Sequence, residues 1–146
     1  MLGLGLLLNN AAQQLKREFE RAARPHGLTL LQWRVLRALA VEDGQTQKSL
    51  ATQLEASPMS ISDVLERLEA TGHVTREVDP TDSRAKRASL TGEGRAIVRE
   101  MRAIAVQVYD QAAAGINEAD KQTMMRVLAQ IVANLDALGA QKKDET

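Results

Sequence analysis

KSLATQLEASPMSISDVLERLEATGHV, residues 48–74, runs directly into TREV (75–78), the charged loop DPTDSRAKR (79–87) and ASLTGEG (88–94). The first segment has the pattern of two short helices meeting at a tight turn. The rest has the pattern of a β-hairpin with a basic tip. A helix-turn-helix with a basic wing attached is an architecture for holding duplex DNA.

Local signals divide this stretch. Ser57-Pro58 places serine at a helix N-cap and proline at the first helical position, where its missing N–H does no harm. In the helix that follows, Ile61, Val64, Leu65 and Leu68 fall at i, i+3, i+4 and i+7 and define a buried side. The opposite side presents Met59, Asp63, Glu66 and Arg67, flanked by Ser60 and Ser62. An α-helix fits the major groove with its N-terminal residues at base edges. Serine hydroxyls donate or accept there, Met59 suits a thymine methyl, and Asp63 suits a cytosine amino group. Ser57, at the N-terminus, adds N–H groups for a phosphate. The plainer alternative is a capped helix with a solvated charged face, and for Glu66 that alternative is favoured.

Gly72 closes this helix. Val74–Val78 and Ala88–Leu90 are β-prone runs flanking the loop. Asp82 precedes Arg84 by two residues, which suggests a carboxylate holding the Arg84 guanidinium while the tip aims it into a minor groove. Lys86 and Arg87 are expected at phosphates.

The flanks are helical. A first helix is expected from about Leu6 to Arg24, with Leu8, Ala12, Leu15, Phe19 and Ala22 on one face, stopped by Pro25 and Gly27. Thr29 and Gln32 form a capping-box pattern for a second, with Trp33, Leu36, Leu39 and Ala40 as its buried stripe. A third runs from about Thr46 to Glu55. Thr91 caps a long fifth helix carrying Ile104 and Val108. Asn117 opens a sixth with Met124, Leu128, Ile131, Leu135 and Leu138. These carry more apolar surface than the winged unit covers, which suggests a layer joining two copies. The alternative is a monomeric bundle.

The 146 residues (16.0 kDa) therefore read as one mainly α domain. Residues 29–92 form the winged unit, 1–24 and 93–139 a helical dimerisation layer, and 140–146 a frayed tail. Net charge is zero, so any DNA footprint is focal: three of the four residues from Arg84 to Arg87 are basic. With three aromatics, Phe19, Trp33 and Tyr109, the core must be aliphatic. Cysteine is absent, which excludes disulfides, thiol redox sensing and thiolate ligands. His26 and His73 lie too far apart in sequence to suggest a metal site. No phosphate loop, nucleophile elbow or triad is visible, so no enzyme and no cofactor are expected. MLGLGLLLNN at the N-terminus lacks a basic n-region and is too short to span a bilayer; docking against a second subunit suits it better.

The ordered set LATQL, SPMSISDVLERLEATGHV, DPTDSRAKR and LTGEGR resembles the MarR family of bacterial and archaeal transcription regulators. The resemblance covers nearly the whole chain, and DP-x-D-x-R followed by LT-x-x-G is its most specific part. It implies a cytoplasmic homodimer, nucleoid-associated when bound, gripping a pseudo-palindromic operator and usually repressing. Arg67 and Arg84 match basic positions of the family. Ser62 and Asp63 stand where many relatives have a threonine–arginine pair, so the aspartate is a departure. Many relatives are released by small aromatic or phenolic acids bound between the dimer layer and the winged unit. The candidates here are Phe19, His26, Trp33 and Met101, with Arg17 to meet a carboxylate. Against this, Trp33 and Met101 have core spacing, and His26 follows a proline in a turn. A winged-helix protein-interaction module with weak or no DNA binding is the rival function.

Overall fold

A computed structural model describes residues 1–144, in two compact units that divide between Tyr109 and Asp110. The first unit begins with α1 (Leu4–Ala23), which ends in a 3-10 turn, Arg24–His26, and a left-handed Gly27. α2 (Leu30–Val41) starts at the expected capping box. The Gln32 N–H donates to Thr29 Oγ1 at 3.2 Å, and the Thr29 N–H donates to Gln32 Oε1 at 2.9 Å. There follow β1 (Gln45–Thr46), α3 (Gln47–Leu54), α4 (Pro58–Ala70), β2 (Val74–Val78), β3 (Lys86–Leu90) and α5 (Gly92–Ala112). The second unit contains the C-terminal end of α5 and α6 (Glu118–Asp144). The protein is thus mainly helical, with a small antiparallel sheet ordered β1-β3-β2.

The winged unit closes on one core. Leu36 and Leu39 of α2, Leu50 of α3, and Ile61, Leu65 and Leu68 of α4 are fully buried. The sheet adds Val74, Ala88 and Leu90. Burying each such leucine or isoleucine contributes about 1.5–3 kcal/mol, and that burial, not helix propensity, holds three short helices together. A second cluster joins Phe19 and Ala23 of α1, Trp33 of α2 and Met101 of α5, with the Phe19 and Trp33 rings stacked at 5.7 Å.

LT-x-x-G has a physical reason here. Thr91 Oγ1 accepts from the Gly94 N–H at 3.0 Å, capping α5, and its hydroxyl donates to Gly72 O at 2.6 Å. Gly94 packs so closely under His73 that a Cβ would overlap the His73 carbonyl. α4 ends on left-handed Gly72, with the Gly72 N–H returning to Glu69 O and the His73 N–H to Leu68 O.

Some expectations need correcting. Ala22 and Ala40 are exposed, and Ala23 and Ala38 are buried instead, because each helix face is rotated slightly from the stripe chosen. Gln45–Thr46 forms a strand, with Thr46 as N-cap of α3 and no part of the helix itself. α6 continues through residues 140–144 of the segment expected to fray; Glu145 and Thr146 lie outside the described residues. Among the described residues no helix is long and apolar enough to cross a membrane.

Candidate nucleic-acid interface

α4 is presented as its sequence requires. Ser57 Oγ accepts from the Ser60 N–H at 3.1 Å, and the Ser57 hydroxyl donates to Ser60 Oγ at 2.8 Å. That leaves the Ser60 proton to donate elsewhere. Gln47 of α3 donates from Nε2 to Pro58 O at 2.8 Å and pins the start of α4. Met59 is 76% exposed. Asp63, Glu66 and Arg67 are exposed along the outer face, and Ser60 and Ser62 are half-buried at its edges. Further along, Glu69 receives Arg76 of β2 through Nη2 and Nε at 2.9 and 3.2 Å. That hydrogen-bonded guanidinium lowers the Glu69 pKa.

The wing is built around a buried carboxylate. Asp79 Oδ1 accepts from the Thr81 N–H and hydroxyl at 2.8 and 2.7 Å, and Oδ2 accepts from Arg87 Nε at 2.9 Å. Arg87 Nη1 also donates to Gly44 O at 3.1 Å, across the turn before β1. Next to Gly44, Asp43 accepts from the Leu90 N–H and from Arg95 Nη2, each at 2.9 Å. The Asp43–Gly44 turn and Arg95 of α5 are thereby tied to the base of the hairpin. Asp82 Oδ1 accepts from the Arg84 backbone N–H at 3.0 Å, not from its guanidinium as expected: the i+2 N–H falls within reach of the short aspartate, and this stabilises the turn. The Arg84 side chain is exposed and, among the described residues, makes no ion pair. Lys86 is exposed beside it.

The first unit also contains an open cleft of about 880 Å³ between α1, α2 and α5. Phe19, Trp33 and Tyr109 give it aromatic walls, and Lys16, Arg34, Arg37 and Arg102 line it with cations. No lining residue is acidic. Of the effector candidates, Phe19 and Trp33 are at its wall. Met101 is fully buried, and Arg17 and His26 do not line the cleft. His26 Nδ1 lies 3.3 Å from Glu100 Oε2 instead. On α1 it is Lys16 that lines the cleft, because a one-residue step rotates the side chain by about 100°.

The MarR family model matches residues 26–85. An HTH-type transcriptional repressor of Mycobacterium tuberculosis is 34% identical over 101 residues, which cover 69% of this chain and 73% of that protein. The chain belongs to the MarR family. A MarR-family regulator from Rhodococcus sp. RHA1 superposes with a TM-score of 0.77 at 28% identity, covering 88% of this chain and 91% of that one. A Bordetella bronchiseptica regulator, whose DNA binding is regulated by 6-hydroxynicotinic acid, superposes at 0.75 with 28% identity, covering 88% and 92%.

As a MarR-family protein the chain is a winged-helix, DNA-binding transcription regulator. These relatives are regulators, not enzymes. Within that frame the family's helix-turn-helix is α3 and α4, and its wing is β2, β3 and the loop between them. The exposed face of α4 carries Asp63 and Glu66 beside Arg67. Arg87, expected at a phosphate, is bonded to Asp79 and Gly44. As positioned, it ties the base of the wing together. Sequence patterns missed Asp43, Gly44 and Gln47, and the cleft cations Lys16, Arg34, Arg37 and Arg102. The DP that opens the wing motif pointed to Asp79, but nothing local pointed to the others.

Proposed function

We propose that two copies of this chain bind a pseudo-palindromic operator and repress transcription, and that a small aromatic acid in the cleft releases them. The observation carrying this reading is the pairing of a capped, outward-facing α4 N-terminus with an exposed Arg84 at the wing tip. α4 enters the major groove with Met59, Ser60 and Ser62 at base edges and Arg67 at the backbone. Arg84 enters the neighbouring minor groove, and Lys86 meets a phosphate. Ser57 remains a cap whose helix end offers N–H groups to a phosphate.

Dimerisation is supported by uncovered apolar surface in each unit. In the first, Leu2, Leu6 and Leu7 are at least 64% exposed. In the second, Met124, Leu128, Ile131, Leu135 and Leu138 recur in a heptad-like pattern, and none is buried. A second copy covering both removes this surface from water. Residues 1–24 and 93–139 are then the dimerisation layer, and 29–92 the DNA-binding unit.

The effector reading rests on the aromatic walls and acid-free cationic lining of the cleft, which suit an aromatic carboxylate. The Bordetella relative's regulation by 6-hydroxynicotinic acid supports this class.

Selection of tight-binding duplexes from a random library would yield an operator. Fluorescence anisotropy on that operator and on random duplex, at two salt concentrations, tests the DNA reading. Tight, salt-dependent and sequence-selective binding is expected. Failure to bind either duplex would favour a protein-interaction module, to which the acidic face of α4 is suited.

A further inference from the structure

We propose that Arg34 relays occupancy of the cleft to the helix-turn-helix, an inference that rests on reading the cleft as a site for an aromatic carboxylate. Arg34 belongs to two places at once. It lines the cleft from α2, and its Nη2 donates to Leu54 O at 3.0 Å. Leu54 is the last residue of α3, so its carbonyl is among those a helix leaves without an intrahelical partner. The guanidinium supplies that partner, at the helix end where a cation is favoured.

The turn held in this way leads directly into α4. Glu55 has φ 51°, a left-handed conformation that costs a non-glycine residue free energy. The Glu55 N–H donates to Thr52 O and the Ala56 N–H to Ala51 O, and Ser57 then caps α4. A strained residue next to one side-chain clasp makes the turn sensitive to loss of that clasp. Arg37 and Arg102 also line the cleft but make no hydrogen bond to α3 or α4 among the described residues. Among the described residues, Arg34 is the one cleft cation that hydrogen-bonds to the helix-turn-helix.

A carboxylate in the cleft competes for this guanidinium with advantage. It is charged and matches the fork of two parallel N–H donors, whereas Leu54 O is neutral and offers one acceptor. Aligning the fork with the ligand draws Nη2 from Leu54 O, leaves the α3 terminus uncapped, and frees the start of α4 to shift. Ligand binding thereby lowers DNA affinity through one named bond.

The only tryptophan, Trp33, lines the same cleft, so its fluorescence reports occupancy independently of DNA binding. Wild type, Arg34→Met and Arg102→Gln are titrated with 6-hydroxynicotinate and a panel of hydroxybenzoates. Occupancy is read from Trp33, and release from anisotropy of the selected operator. Arg34→Met is expected to bind operator about tenfold more weakly without ligand, as a mimic of the released state, with no further release at saturation. Arg102→Gln is expected to need more ligand but to release in full once Trp33 shows saturation. Arg34→Met that binds operator like wild type and releases in full at saturation overturns the relay. If Arg34→Met fails to fold, Arg34→Gln serves: its amide carries no charge for a carboxylate to draw away, and full release by it at saturation overturns the proposal equally. Wild type whose Trp33 responds to none of these acids removes the cleft reading and the relay together.

Discussion

Arg87 donates through Nε to Asp79 Oδ2 at 2.9 Å, and the arginine stays half-exposed while Asp79 is only 5% exposed. The pair fixes the two ends of the wing loop to each other, and Nη1 of the same arginine ties them to Gly44 O. The wing tip that carries Arg84 is thus held from its base.

This relationship has a pH signature. The Thr81 N–H and hydroxyl, together with Arg87, hold the Asp79 carboxyl down at about 2, below its ordinary 3.8. A carboxylate depressed in the folded state stabilises it fully above the ordinary carboxylate range, and the contribution fades as pH falls toward the folded value. Asp79→Asn, which keeps an acceptor for Thr81, should therefore show a shallower loss of thermal midpoint below about pH 4 than wild type. Superimposable acid limbs in circular-dichroism melts would contradict the assignment.

Arg84 and Lys86, which make no ion pair among the described residues, should behave differently from the paired Arg87. Arg84→Ala is expected to weaken operator binding by about 1–3 kcal/mol and to relax selectivity. Lys86→Ala is expected to weaken all duplexes alike and make the salt slope shallower by about one. Anisotropy across a salt series separates the two, and an unchanged pair of variants with intact folds would remove the wing from the interface.

Much of the fold was legible because its signals are local. Thr29 with Gln32, Ser57 before Pro58, Gly72, and Thr91 three residues ahead of Gly94 each act within one turn of chain, so the residue types announce the geometry. The apolar steps from Ile61 to Leu68 announced which face of α4 is outward. What escaped is long-range: Arg34 to Leu54, Asp43 to Leu90 and Arg95, and Arg87 to Gly44 join segments whose meeting depends on packing. β1 escaped because two residues carry no alternation. Arg17 and Lys16 differ by one residue of helical phase on α1, and only Lys16 lines the cleft.

The uncovered α6 face yields the oligomer prediction. Wild type should sediment as a dimer at low micromolar concentration, and a 16 kDa species would contradict it. Ile131→Asp, which places an unpaired charge in the proposed seam, should lower stability and dissociate the dimer together. Loss of stability with the dimer intact would place Ile131 in a core within one chain.

Asp63 gives the most direct test of the central claim that α4 lies in a DNA groove. We propose that on an inserted helix the carboxylate faces a phosphate and repels it, trading affinity for selectivity or ready release. Anisotropy titrations of wild type, Asp63→Asn and Asp63→Arg are to be compared on operator and random duplex over a salt series. Both variants should bind both duplexes more tightly and less selectively, with the steeper salt slope for arginine. Weakened operator binding with unchanged random binding would instead make Asp63 a reader of a base amino group. Binding identical to wild type on both duplexes would contradict the claim, because a helix in the groove cannot exchange a negative for a positive charge there without effect.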